Sequence, residues 1–185
     1  MLASLFFNSL GHSVNQGALD FQKELNVQYI KADRAPLSEG LSFFPIDNNY
    51  KVKAKFKLRE IPKGSGLDKS STPQSYDVIY GELRIIFTDK SDKLNVYQSH
   101  TLKGNKEFRE ALFLPFTNLT SGNECYAEEL FINLEIHKGN TKIIDFNQAF
   151  NPCCAYNYIY SCPVPLQGNF LDLKIEAGVK APVWD

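Results

Sequence analysis

Tyr50-Lys51-Val52-Lys53-Ala54-Lys55-Phe56-Lys57-Leu58-Arg59 alternates an apolar and a basic residue at every step. Successive side chains of an extended chain point to opposite faces, so the stretch reads as a strand with one face in a core and five cations on the other. A helix would scatter the same residues around its circumference. Five like charges on one face could meet an anionic ligand or a lipid headgroup. Exposed lysine is also the usual guard of a sheet edge, and the guard or solvated-face reading is the simpler one.

The same period returns on both sides. Ile79, Gly81, Leu83, Ile85 and Phe87 alternate, and the polar stretch Thr88 to Lys93 leads into Leu94, Val96 and Gln98, which reads as a hairpin. Leu112 to Phe116 is a short apolar run that Pro115 assigns to an edge or a strand end. Leu130, Ile132, Leu134 and Ile136 alternate again before the turn residues Gly139 and Asn140, and Ile143 to Phe146 forms a second hairpin arm. Leu171, Leu173, Ile175 and Ala177 predict a last strand. Upstream, Phe21, Leu25 and Tyr29 fit one short amphipathic helix over Ala18 to Ile30, in a region closed by Pro36 and Gly40. Pro62 to Ser75 is a Gly, Ser and Pro-rich loop. The expectation is a mainly β chain, a single antiparallel β-sandwich or barrel of about seven to nine short strands with one N-terminal α-helix.

A chain of 185 residues fits one domain, and 43% hydrophobic with 22% charged residues is ordinary globular composition. The formal charge of −1 supplies no global basic field, so nucleic acid is not an expected partner. No run approaches the ~20 apolar residues of a transmembrane helix. Met1 to Phe7 is apolar and is followed by Ser9, Gly11 and Ser13, like the end of an export signal without its charged start. Residues 1–14 therefore read as a signal remnant or as an apolar arm, and residues 15–185 as one β-rich domain. No Gly-rich phosphate loop, H-E-x-x-H or G-x-S-x-G occurs, and no cofactor is expected.

The stretch from Asp145 to Cys162 follows neither period, and neither does its continuation to Pro165. Its prolines restrict the backbone, its asparagines can satisfy backbone groups, and its tyrosines offer apolar faces with polar tips. Ordered loops of this kind often carry function. Its cysteines allow four readings. In an exported protein, Cys154 and Cys162 could close a nine-residue disulfide loop, worth about 2.6 kcal/mol on the chain-entropy model, and this is the favoured structural reading. A metal site would draw on Cys153, Cys154 and Cys162 with Cys125 or a histidine, but the C-x-x-C spacing of zinc sites is missing, so no metal is expected. A nucleophilic thiol would need a base, for which His137 is nearest in sequence among His12, His100 and His137. Plain buried thiols complete the set. Among carboxylates, Asp145 is a candidate, whereas the neighbours Glu128 and Glu129 would face opposite ways. Asn118-Leu119-Thr120 matches a glycosylation acceptor, a tripeptide too short to carry weight.

These residues together resemble the C-terminal signature of the domain of unknown function 1684 family of bacteria and archaea. The resemblance rests on Asp145-Phe146-Asn147, Asn151-Pro152, Cys154-Ala155-Tyr156-Asn157, Cys162-Pro163 with Pro165 and Asn169, and Ala177-Gly178 with Lys180. Phe21 to Asn26, Pro36-Leu37, Leu41 to Asp47 and Leu112 to Gly122 resemble the family's earlier elements. The resemblance implies a domain type and an important surface made of Asp145, Asn147, Asn151, Cys154, Tyr156, Cys162 and Asn169, without implying a reaction. Similar members commonly carry an export signal, which favours an extracytoplasmic, periplasmic location over a cytoplasmic one and, with it, the disulfide. Where the family has Y-G-G-G-R-Y-I-D, this chain has Tyr126 to Asn133, with Leu130 and Asn133 in place of the Arg and Asp. A ligand held by that Arg would have no fork of donors here.

The first functional expectation is an exported β domain that binds a small molecule or an envelope component, with Asp145 to Asn169 as one wall of the site. The alternatives are a hydrolase or transferase that uses Cys154 or Asp145 with His137 as base, and a structural envelope protein. No nucleophile, base and orienting group are legible as a set, which places binding ahead of catalysis.

Overall fold

The computed structural model describes residues 7–31, 40–59, 78–87, 90–99, 104–136, 139–156 and 168–182, with the side chains of 7–14 and 78 left aside. Helix α1 (Phe7–Lys31) precedes strands β1 (Lys51–Leu58), β2 (Val78–Phe87), β3 (Lys90–Gln98), β4 (Ala111–Asn118), β5 (Leu130–Glu135), β6 (Thr141–Asp145) and the two-residue β7 (Phe170–Leu171). The sheet runs β5-β4-β3-β2-β1-β6 with every neighbouring pair antiparallel, and β7 adds alongside β4 in parallel. The mainly β class with an N-terminal helix is as expected. Of the two architectures, the sheet is a single curled surface, a half-barrel.

The curl is visible where the two ends of the sheet meet. β5 and β6 stand at opposite ends of the strand order, yet Lys142 on β6 donates from Nζ to the Glu135 carbonyl on β5 at 2.6 Å. Burial lowers the pKa of this lysine, with the Glu135 charge opposing, and its ammonium also lies 5.6 Å from the centre of the Phe56 ring. Inside the curl, Leu83, Ile85, Leu94, Val96, Leu114 and Ile144 are sealed from water. Phe146, the residue after β6, plugs this core edge-to-face with Phe116 at 5.2 Å.

β1 behaves as its alternation predicts, with Val52 and Ala54 buried and the lysines outside. Its place in the sheet differs from the edge-guard reading, because β2 and β6 flank it on both sides. β3 starts at Lys90, earlier than the polar stretch suggests, because Ser91 and Lys93 are simply its outward residues. β4 is also internal. Pro115 lacks an N–H, and the β3–β4 ladder registers only at Tyr97 opposite Phe113, so the proline marks a split within the sheet and not its rim. The expected last strand shrinks to Phe170–Leu171, although Leu171, Ile175 and Ala177 are buried as its pattern requires.

Helix α1 begins well before Ala18 and so runs through residues 7–14 of the expected arm or remnant. Ala18, Leu25 and Tyr29 form its buried stripe, and Tyr29 meets Tyr156 edge-on at 5.5 Å. Among the described residues no helix is long and apolar enough to cross a membrane. The Pro62 to Ser75 loop and Pro36 lie outside the described residues.

Candidate functional site

The chain that leaves β6 is held by side-chain amides. Asp145 caps the short 3-10 turn Phe146–Gln148, its Oδ1 accepting from the Asn147 N–H at 3.1 Å and from Asn147 Nδ2 at 2.8 Å. Its other oxygen lies 3.9 Å from Lys51 Nζ. Asn147 is 2% exposed and grips the backbone of Asp47, accepting from its N–H at 3.0 Å and donating to its carbonyl at 2.9 Å. Gln22 of α1 donates to the Asn147 carbonyl, which fastens the helix to this turn.

Asn151 is fully buried. Its Nδ2 donates to the Tyr156 hydroxyl at 2.8 Å and to the Lys180 carbonyl at 2.9 Å, and Tyr29 donates to its backbone carbonyl at 2.6 Å. Its Oδ1 is buried with no hydrogen-bond partner among the described residues. Burial pushes the Tyr156 phenol well above its ordinary range, with the Asn151 hydrogen bond opposing and the nearby Cys153 adding slightly.

Asn169 stands apart from that cluster, at the split beside Pro115. Its Oδ1 accepts from the Asn95 N–H at 2.8 Å, and its Nδ2 donates to the carbonyls of Asn95 at 2.9 Å and Pro115 at 2.6 Å. The amide thus replaces the ladder bonds that a proline strand cannot complete. A fourth buried asparagine, Asn118, accepts from the Thr120 N–H, the Thr120 hydroxyl and the Ile175 N–H. At 2% exposed it is no surface acceptor for a glycan, and its role is hidden in the sequence behind that acceptor pattern.

Cys125 is a buried free thiol whose Sγ lies 3.0 Å from the Thr120 hydroxyl oxygen, and burial raises its pKa. It fits the plain core-thiol reading. Cys153 is free and half-buried on the 3-10 turn Cys153–Ala155, and Cys154 beside it is not among the free thiols. Cys162, His100 and His137 lie outside the described residues, as does the His12 side chain. Among the described residues no three His, Cys, Asp or Glu side chains come together as a metal site. Glu128 is exposed and Glu129 buried, and both stand just before β5, so the strand alternation expected of them does not apply. Leu130 is a core residue and Asn133 an exposed one, so the two departures from the family pattern stand on opposite faces of β5.

The predicted residues therefore form two groups, Asp145 with Asn147 and Asn151 with Tyr156, along one track under α1, with Asn169 in a separate place on the sheet. Together they define the class, a half-barrel β domain in which buried amides fix a non-repetitive segment. The chain belongs to the family described as protein of unknown function (DUF1684), whose model matches residues 38–180. Among solved structures it is similar to the solution structure of an uncharacterized protein of Haloarcula marismortui, at 23% identity and a TM-score of 0.61. That likeness covers 90% of this chain and 97% of the other, and shows the fold. No curated protein matches the chain.

Proposed function

We propose that the chain is an extracytoplasmic binding domain that holds a small molecule or an envelope component against the segment from Asp145 to Asn169. One observation carries the reading. Asn151 Oδ1 is a buried acceptor without a donor among the described residues, set beside the Tyr156 hydroxyl, and an unpaired buried acceptor is costly unless a bound group completes it. Catalysis finds less support, since Asp145 is engaged with Asn147 and Lys51. A bridge between Cys154 and Cys162 belongs to the same proposal. Its support is that Cys154 does not stand with Cys125 and Cys153 among the free thiols of the described residues.

Native mass spectrometry of the full chain from its own compartment tests the binding reading. A bound non-protein mass that disappears in Asn151→Leu and weakens in Tyr156→Phe is the expected result; a bare chain mass from every preparation overturns it. Alkylation without reductant, followed by mass analysis, should leave Cys154 and Cys162 unlabelled, and full labelling of both removes the bridge.

A further inference from the structure

We propose that the outward face of β6-β1-β2-β3 is a docking surface for an anionic phospholipid bilayer. The face is separate from Asn151 and does not rest on the reading above.

Strand register gathers the charges. β1 presents Lys51, Lys53, Lys55 and Lys57, followed by Arg59, and Arg84 of β2 and Lys93 of β3 stand in the same row as Lys55. Against these seven exposed cations the described part of the face holds two carboxylates, Glu82 and Asp145. The local excess of five positive charges sits on a chain whose formal charge is −1. Glu82 pairs with Lys93 at 3.4 Å and Asp145 with Lys51 at 3.9 Å, and among the described residues the other five cations have no carboxylate within ion-pair distance. Like charges two residues apart on one strand face repel, so the row is an electrostatic cost to the fold. Guarding an open edge does not account for it, because β1 is paired on both sides.

The dimensions and the apolar content select the occupant. Lys51 to Arg59 extends about 27 Å along the strand, and four strands are about 14 Å wide, which exceeds a small anion. Ile143, opposite Lys53 and 50% exposed, and Ile86, 53% exposed, stand among the cations. A bilayer interface offers anionic headgroups for the lysines and acyl chains for isolated isoleucines. Single-stranded nucleic acid offers phosphates but asks for stacking surfaces, and Phe56, the aromatic residue of β1, points into the curl; a duplex offers phosphates but no acyl chains for the exposed isoleucines.

Sedimentation of the full chain with phosphatidylcholine vesicles, with and without phosphatidylglycerol, tests this. Binding is expected with the anionic lipid alone, is expected to fall on the order of a hundredfold in Lys53→Glu/Lys55→Glu/Lys57→Glu, and to weaken in Ile143→Ser. Lys53→Gln/Lys55→Gln/Lys57→Gln should show a smaller loss and covers misfolding of the reversed variant, while Lys23→Glu/Lys31→Glu on α1 should bind as the parent does. Absence of binding to anionic vesicles, binding that the glutamine variant leaves unchanged, or binding of duplex DNA or inorganic phosphate without vesicles overturns the proposal.

Discussion

Asn169 holds Asn95 as a neighbouring strand would, taking its N–H at 2.8 Å and giving a proton to its carbonyl at 2.9 Å across 74 residues of chain. Asn147 does the same to Asp47 across 100 residues, at 3.0 and 2.9 Å. In both cases the second amide N–H goes to a third group, the Pro115 carbonyl or the Asp145 carboxylate. Each amide therefore stands in for a strand at a place where the ladder has none.

Removing Asn169 strands three backbone groups at once, the buried Pro115 carbonyl and the part-buried N–H and carbonyl of Asn95. Asn169→Ala is expected to lose about 3 kcal/mol of stability, and Asn169→Asp no less, since a carboxylate would face two carbonyls in place of a donor. Asn133→Ala, at an exposed position on β5, should stay within about 0.5 kcal/mol. Urea midpoints of the three variants check the ordering.

Tyr156 makes stability fall in alkali. Its folded pKa is raised, chiefly by burial, so above about pH 10 the unfolded chain releases a phenolic proton that the folded chain keeps. The contribution is complete below that pH and is lost as pH rises towards the folded value. Urea unfolding between about pH 9 and 11 should therefore show a steeper decline in the parent than in Tyr156→Phe. Parallel slopes would remove the assignment.

Gly178 is needed for a close crossing. Its φ is +79°, and an added Cβ would lie 2.4 Å from the Ala149 carbonyl oxygen, which accepts from the Val179 N–H at 2.9 Å. Gly178→Ala is expected to cost about 3 kcal/mol. Gly122 has a similar φ of +84° but meets nothing nearer than 3.9 Å, so Gly122→Ala should cost only about 1 kcal/mol. Thermal unfolding of the pair separates steric clash from backbone strain.

The sheet was legible where one face meets water and the other meets the core, as in β1, because period two is then written residue by residue. Where each strand stands was not. Alternation around Lys53 is the same at a rim or in the middle, and only pairing with β2 and β6 decides between them. Pro115 announced a missing ladder bond but not that Asn169 fills it, since that contact spans 54 residues. The start of α1 before Ala18 escaped because an apolar run followed by small residues is also how an export signal ends. The segment after β6 stood out as aperiodic, yet its sequence does not say that Asn147, Asn151 and Asn169 spend their amides on the chain's own backbone and side chains.

The open seam between β5 and β6 bears on self-association. A half-barrel that fails to close leaves two strand margins able to recruit another copy into a growing aggregate. Phe150 exchanges two hydrogen bonds with Phe131 and so occupies the free margin of β5. The margin of β6 is five residues long, and a lysine ammonium is buried beside it. A polymerising neighbour would have to displace Phe150 or strip Lys142 of its carbonyl partner, so among the described residues each margin carries its own guard against strand addition.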